Sequence, residues 1–258
     1  IGLVLNLLAI FIFMTKGLRY RFKADDDYVL EADRMTATAF LGRQYPKLSC
    51  SISFDRISNQ SKLLVIGDSY AADFLNMVEE NDKFLHFQIR GCYIGVNCQI
   101  YMGKEKITKF IPEQFRQQCN YLHKMKATLG FIKQADVIIL ASHWRSWAVE
   151  RLLSTIKVWK LQRHQKVLVI GSKTFPKINP MLLRYQSVSA RKHLRYQVSD
   201  SEISTNQMLE NLLNNKTFTN IYKLMCNQNY SCPMLTPKGA LISYDGGHLT
   251  KSGATFIG

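Results

Sequence analysis

A serine, an aspartate and a histidine in this chain have the types and spacing needed for acyl transfer through a serine. Ser69 follows an apolar run in the segment KLLVIGDSY, which begins at residue 62. Asp245 and His248 lie three positions apart in the segment SYDGGHLTKSGA, residues 243–254. A serine nucleophile needs a histidine as general base and an acid that orients the imidazole. The sequence therefore predicts that Ser69, His248 and Asp245 form a catalytic triad.

The residues around Ser69 predict a strand followed by a helix. Residues 62–67 are almost continuously apolar, as expected of a parallel strand that is covered on both faces. Gly67 permits a tight turn, and residues 70–81 carry an apolar face at helical spacing. Ser69 is therefore expected at the carboxyl edge of a sheet, where open α/β folds place their sites. In the alternative interpretation, Asp68 and Ser69 only cap the helix.

The rest of the chain predicts one sizeable α/β domain, a three-layer α/β/α sandwich with a mainly parallel sheet. The chain has 258 residues, of which 47% are hydrophobic, enough for a substantial core. Strands are expected at 62–67, 84–89, 136–141 and 166–171, with a fifth candidate at 219–224. Helices are expected at 70–81, 112–133, 146–162 and 204–215.

These segments resemble the SGNH/GDSL hydrolase-fold domains, which have a flavodoxin-like fold. Residues 67–70 (GDSY) match the first sequence block of that family, and residues 245–248 (DGGH) match the last. More narrowly, the chain resembles the SGNH domain fused to the C-terminal side of membrane-embedded acyltransferase family 3 proteins, which O-acetylate bacterial surface polysaccharides. The hydrophobic N-terminus, the phrase VIILASHW at 137–144 and the run HLTKSGA support the narrower match. The resemblance covers residues 46–258.

The resemblance implies a role for each matched residue. Ser69 would be the nucleophile, His248 the general base, and Asp245 the group that fixes the imidazole tautomer. The oxyanion hole would comprise the N–H groups of Ser69 and Gly91, since Gly91 follows the predicted strand at 84–89 and matches the second-block glycine. A helix N-terminus at Ser69 would add its positive dipole end.

One donor of the wider family is missing. Most members carry an oxyanion-binding asparagine after the third strand, where this chain has ASHWRS at 141–146. Loss of such a donor costs about 3 kcal/mol of transition-state stabilisation, so we expect a weak hydrolase that favours transfer. The candidates to replace the donor are His143, Arg145 and Ser146. The candidates for substrate binding are His143, Trp144, Arg145 and Tyr93, and Trp144 agrees with the fused acyltransferase branch.

The sequence thus predicts an acyltransferase. It would move an acetyl group through an acyl-serine to a hydroxyl of a bacterial surface polysaccharide, such as lipopolysaccharide O-antigen. The chain has no GxGxxG or GxxxxGK[ST] motif, so no cofactor is expected here, and the resemblance implies that the membrane domain uses acetyl-CoA. No His/Cys spacing is typical of a metal site. The alternatives are a membrane-tethered carbohydrate or lipid esterase, and a basic glycan- or nucleic-acid-binding module without catalysis.

The N-terminus predicts a membrane attachment. Residues 1–14 are apolar except for Asn6, and basic residues follow. The run is shorter than the roughly 20 residues that span a bilayer, and its charges are on the wrong side for a secretory signal. We therefore expect residues 1–23 to end a transmembrane helix of an acyltransferase domain in the same polypeptide, residues 24–45 to be a linker, and residues 46–258 to be the catalytic domain. The alternative is a buried core helix.

The cysteines and the resemblance together predict a domain on the periplasmic face of the inner membrane, although basic flanks usually favour the cytoplasmic side. Disulfides form in oxidising compartments, while six reduced thiols would indicate the cytosol. The loop between Cys226 and Cys232 is short enough to be closed by a bridge. The resemblance suggests Cys92 with Cys119, which would leave Cys50 with Cys98; the residues alone leave the connectivity open.

The net charge of +15 calls for an explanation. The segment 173–195 has basic residues, no acidic residue, and interleaved aromatic rings. The basic residues are Lys173, Lys177, Arg184, Arg191, Lys192 and Arg195, and the rings are Phe175, Tyr185 and Tyr196. A solvated basic face is the simplest interpretation. A functional one is a loop at the site's edge that attracts an anionic glycan or headgroup surface; no recognised nucleic-acid-binding motif accompanies it.

Overall fold

The computed structural model describes residues 2–15, 34–55, 57–103, 105–119, 121–179, 183 and 186–258. Its strands are β1 Ser61–Gly67, β2 Phe87–Tyr93, β3 Val137–Ala141, β4 Lys166–Ile170, β5 Arg195–Gln197, β6 Phe218–Thr219 and β7 Ser231–Pro233. Its α-helices are α1 Gly2–Met14, α2 Arg34–Gly42, α3 Ser69–Glu80, α4 Tyr121–Ile132, α5 Ser146–Glu150, α6 Leu152–Val158, α7 Val188–Lys192, α8 Asp200–Leu212, α9 Ile221–Met225 and α10 Lys251–Ile257.

A parallel five-stranded sheet in the order β2-β1-β3-β4-β6 forms the centre of the domain. Alternate residues of β1 pack on opposite faces: Leu64 and Ile66 join the core under α4 and α8, while Leu63 and Val65 join the core under α3 and α10. The strands are buried on both faces, as their continuous apolar runs predict. The predicted α/β sandwich with a mainly parallel sheet is confirmed.

The register of the sheet brings three strand ends to one edge. Gly67, the last residue of β1, pairs with Tyr93 at the end of β2 and with Ala141 at the end of β3. Ser69 begins α3 two residues beyond Gly67. Residues that follow β1, β2 and β3 therefore meet around Ser69, as expected of parallel strands.

Several predicted elements have different bounds. The second strand runs from Phe87 to Tyr93, not over 84–89, because its extent is set by pairing with β1. The candidate strand at 219–224 is wrong beyond Thr219: the Asn220 side chain accepts from the Tyr222 N–H and begins α9 instead. Where a helix is predicted over 112–133, short 3₁₀ turns come first and the helix α4 begins only at residue 121. The helix predicted over 146–162 is divided into α5 and α6 at Arg151.

All six cysteines form disulfides, in the pairs Cys50–Cys92, Cys98–Cys119 and Cys226–Cys232. The pairing predicted from the short 226–232 loop is confirmed, and the two pairings drawn from the resemblance are wrong. The Cys50 N–H donates to the Gly91 carbonyl at 3.0 Å along the edge of β2, which brings Cys50 beside Cys92. Cys98 is then left within reach of Cys119, at a Cα–Cα distance of 5.1 Å.

The N-terminal segments form two helices. The large side chains of α1 from Val4 to Met14 are exposed, and no helix among the described residues is long and apolar enough to cross a bilayer. The helix α2 packs against α3, with Leu41 buried in the core. Arg43 Nε and Gln44 Nε2 donate to Asn76 Oδ1 at 3.0 and 2.8 Å. The part of the predicted linker from residue 34 onward therefore packs as part of the folded domain; residues 16–33 lie outside the described residues.

Candidate active site

Three side chains that are distant in sequence form a continuous hydrogen-bonded chain at the carboxyl edge of the sheet. Ser69 Oγ lies 2.8 Å from His248 Nε2, and His248 Nδ1 lies 2.6 Å from Asp245 Oδ2. The His248 and Asp245 side chains remain 24% and 32% exposed, so the chain of bonds opens to solvent. This is the arrangement in which a serine can be deprotonated by an imidazole whose other nitrogen is fixed by a carboxylate.

Asp245 is held as a carboxylate by the loop that it begins. Its Oδ1 accepts from the N–H groups of Gly247 and His248 at 2.9 and 2.8 Å, while Oδ2 faces the imidazole. Burial alone would raise the pKa of Asp245, but the hydrogen bonds from the His248 side chain and from these two N–H groups hold the pKa well below its usual range. The carboxylate is thus ionised at neutral pH and bonded to Nδ1, which leaves Nε2 to accept the serine proton.

Asp68 caps α3 and also holds the end of β3 beside the nucleophile. Its Oδ1 accepts from the Tyr70 N–H at 2.9 Å. Its Oδ2 accepts from Ser142 Oγ at 2.7 Å and from the His143 N–H at 2.9 Å. The capping interpretation is therefore right for Asp68, and it leaves the Ser69 hydroxyl bonded to His248.

Gly91 is not brought to Ser69. It lies inside β2, in register with Val65, and a Cβ there would meet Leu48 and the Lys47 carbonyl. The prediction placed it after the strand because β2 was expected to end at 89. The ladder continues beyond Tyr93, since the Ile94 N–H donates to the Gly67 carbonyl at 2.8 Å. Gly95, the next residue, is therefore the first glycine after β2.

The ASHWRS segment, residues 141–146, contributes His143 to the site and Trp144 to the core. The pairing of Gly67 with Ala141 sets His143 level with Ser69. The His143 ring stacks on Tyr70 and its Nε2 lies 2.9 Å from Glu202 Oε1. Trp144 was a candidate for substrate binding, but it is buried and its Nε1 donates to the Ile170 carbonyl at 2.8 Å. Its indole therefore belongs to the core.

The other two candidates in that segment lie beyond the edge of the sheet. Arg145 and Ser146 are exposed, at the cap and the first residue of α5. The Arg145 N–H donates to Gln99 Oε1 at 3.0 Å, which fixes its backbone. Of the three proposed replacements for the missing asparagine, His143 alone is level with Ser69.

Tyr93 forms an aromatic pair with Tyr45 at this edge. Its ring meets that of Tyr45 edge to face at 5.6 Å, and each side chain is more than one-third exposed. The two rings line a surface pocket together with Leu48, Ser49 and Cys50. Burial, Tyr93, Asp73 and Asp68 raise the pKa of Tyr45 to about 12, so its hydroxyl is a neutral donor. No local sequence signal pointed to Tyr45, because it precedes the sheet.

Only some of the basic side chains in segment 173–195 lie at the surface. Lys173 and Arg191 are buried, while Lys177, Lys192 and Arg195 are exposed. Lys177 lies against Gly246, a residue of the loop that carries Asp245 and His248. Two of the aromatic rings in this segment are engaged inside the protein. Phe175 is buried, and Tyr196 donates its hydroxyl to the Thr174 carbonyl at 2.8 Å. Arg184 and Tyr185 lie outside the described residues.

Among the described residues, no group of three or more His, Cys, Asp or Glu side chains is placed to hold a metal ion.

A comparison with known families identifies the class. The family model of the SGNH domain (fused to AT3 domains) matches residues 35–258, so the chain belongs to that family. The match begins at α2, consistent with the packing of this helix on α3. Membership and the Ser69–His248–Asp245 geometry together define the class of chemistry as acyl transfer or ester hydrolysis.

The fold also matches a solved structure. The periplasmic domain of a lipopolysaccharide acetyltransferase from Salmonella ser. Paratyphi A superposes with a TM-score of 0.56 at 18% identity, over 86% of this chain and 93% of that one. At this identity the likeness supports the fold alone. A search of curated proteins finds no match.

Proposed function

We propose that this chain is an O-acetyltransferase domain that moves an acetyl group through an acyl-serine to a hydroxyl of a bacterial surface polysaccharide, such as lipopolysaccharide O-antigen. The observation that carries the proposal is the bonded chain from Ser69 Oγ through His248 to Asp245. It is supported by membership in a family whose SGNH domains are fused to AT3 domains. The disulfides are in keeping with an oxidising compartment such as the periplasm.

In the proposed reaction, His248 Nε2 takes the proton of Ser69 as Oγ attacks the carbonyl carbon of the acetyl donor. Collapse of the tetrahedral intermediate expels the leaving group with that proton and leaves acetyl-Ser69. The hydroxyl of the acceptor then attacks the acyl-serine, with His248 as general base, and the proton returns to Ser69 Oγ. The ionised Asp245 stabilises the imidazolium in both steps.

The oxyanion is proposed to lie at the N-terminus of α3. The Ser69 N–H is one of the first amides of that helix and has no intrahelical acceptor. Gly95 rather than Gly91 would give the second N–H, because Gly95 follows the carboxyl end of β2, whereas Gly91 lies inside the strand. His143 stands where the family's asparagine is missing, and its Nε2 is bonded to Glu202 Oε1 at 2.9 Å. The site therefore has no amide side chain at this position to bind the oxyanion, which fits an enzyme that reacts poorly with water.

The acceptor is proposed to bind over Tyr45 and Tyr93. These partly exposed aromatic rings offer an apolar face to a sugar ring, and their neutral hydroxyls offer donors to its oxygens. Lys177 beside Gly246 would favour a glycan that carries negative charge. Acetyl-CoA would be consumed by an AT3 membrane domain of the same polypeptide, so this domain would receive the acetyl group and need no cofactor.

The test measures how acetyl groups are divided between the glycan and water. The chain is incubated with p-nitrophenyl acetate and de-O-acetylated lipopolysaccharide O-antigen, and acetylated glycan and free acetate are measured by NMR. We expect Ser69-dependent acetyl esters on the glycan, formed faster than acetate. Acetate alone, released at the rate of an efficient esterase, would establish the esterase alternative. Glycan binding without any Ser69-dependent acetyl chemistry would establish the binding module.

A further inference from the structure

Two buried charges beside the triad are not used by the acyl-transfer chemistry. Lys173 Nζ lies 2.5 Å from Asp73 Oδ2, and both side chains are almost completely buried. Asp73 is on α3, four residues or about one turn after Ser69. Lys173 follows the end of β4 and also lies 3.9 Å from the centre of the Tyr70 ring. Taking two such charges out of water is costly, so a buried pair is by itself weak evidence for stability.

The remaining bonds of this pair go to the peptide groups on both sides of His248. Asp73 Oδ1 accepts from the Leu249 N–H at 3.1 Å. Lys173 Nζ donates to the Gly247 carbonyl at 2.8 Å. The helix that carries the nucleophile is therefore tied to the backbone directly before and directly after the general base.

Asp245 cannot supply this connection. It lies on the same short loop as His248, so its bonds fix the imidazole within the loop but not the loop relative to Ser69. The Phe175 N–H donates to the Gly246 carbonyl at 2.8 Å, which joins the loop to the segment of Lys173. That segment is joined to α3 through the Asp73 pair and through the Tyr70 hydroxyl, which donates to the Lys173 carbonyl.

We infer that Asp73 and Lys173 are positioning residues that hold His248 Nε2 at bonding distance from Ser69 Oγ. The inference rests on the proposed function and deepens it. A displacement of about 1 Å between reacting groups can cost about 100-fold in rate, and the pair opposes such a displacement from both sides of the base. Burial raises the pKa of Asp73, while the positive charge of Lys173, and that of His248 once the ring is protonated, oppose that rise. Asp73 therefore also lies in the electrostatic field of the base.

The test separates positioning from a simple need for charge balance. Asp73→Asn and Lys173→Met each leave one buried charge unpaired, and the double variant leaves none. Ser69-dependent hydrolysis of p-nitrophenyl acetate is measured as kcat and KM, corrected for folded protein by near-UV circular dichroism, and Tm is measured in parallel. We expect all three variants to lose about 100-fold in kcat with KM unchanged. Only the double variant should recover a Tm near that of the wild type.

A double variant that regains both wild-type Tm and wild-type kcat would overturn the inference, because the pair would then be merely structural. Arg151→Met is the control, since it removes a partly exposed ion pair with Glu105 that has no bond to the triad residues, and it should leave kcat unchanged. The Ser69→Ala variant distinguishes the two failures. If Ser69→Ala hydrolyses the ester as fast as the wild type, the proposed function and the positioning role are both contradicted. If Ser69→Ala is inactive, a fully active double variant contradicts only the positioning role.

Discussion

Replacing Ser69 by alanine is expected to lower kcat for acetyl transfer by about 10⁶-fold, since loss of the nucleophile in a serine triad costs about as much as loss of the whole triad. The Ser69 hydroxyl bonds to His248 Nε2, and the cap of α3 is supplied by Asp68, so the fold should be unchanged. The measurement is single-turnover acetyl transfer together with the thermal unfolding of both proteins.

The control for that change is Ser146→Ala. Ser146 is an exposed serine at the start of α5, whose Val149 packs on the face of the sheet opposite to α3, and no described hydrogen bond joins it to the triad residues. Its variant should keep wild-type kcat. A Ser69→Ala protein that keeps more than about a hundredth of the wild-type rate would contradict the assignment of the nucleophile, because far larger losses are expected of this group.

Replacing Asp245 by asparagine is expected to lower kcat by about 10⁴-fold, because an amide at this position favours the wrong imidazole tautomer. The carboxylate now faces His248 Nδ1 at 2.6 Å and is kept ionised by the bonds that lower its pKa. An asparagine could instead present its NH₂ group to Nδ1, and Nε2 would then carry a hydrogen and could not accept the serine proton. The measurement is kcat for p-nitrophenyl acetate at neutral pH.

Asp55→Asn is the matched control for the aspartate change. Asp55 is exposed and its carboxylate accepts from the Ile57 N–H in a surface turn, much as Asp245 accepts from its own loop. Asp55→Asn should leave kcat unchanged. If Asp245→Asn also leaves kcat near the wild-type value, His248 does not depend on this carboxylate and the triad is not the catalytic unit.

The parts of the fold that follow from local pattern could be predicted from sequence. The apolar runs of β1, β3 and β4 identify buried parallel strands, and the residues after β1 and near the C-terminus indicate the triad by type alone. The bounds of β2 could not be predicted, because Phe84 and Leu85 look like strand residues but are exposed. Arg90 and Gly91 look like an interruption but lie inside the ladder with β1. The error explains why Gly91 was expected to follow the strand, whereas it lies inside β2 opposite Val65.

The remaining errors have a common physical origin in long-range contacts. Trp144 looked available at a sheet edge, but its indole turns into the core to reach the Ile170 carbonyl. Lys173 looked like part of a solvated basic run, but its partner Asp73 lies 100 positions earlier in the chain. The disulfide partners of Cys50 and Cys98 depend on how the segment before β1 lies along β2. Each of these contacts depends on tertiary packing, which the spacing of residues along the sequence does not indicate.

Trapping the acyl-enzyme tests the central claim most directly. The protein is mixed briefly with p-nitrophenyl acetate, quenched in acid and mapped by peptide mass spectrometry, with Ser69→Ala treated in parallel. We predict one acetyl ester on the peptide that contains Ser69, absent from the variant and discharged when O-antigen acceptor is added before the quench. Turnover that proceeds in full while Ser69 stays unmodified, or in which the variant acquires the same label, would contradict the account.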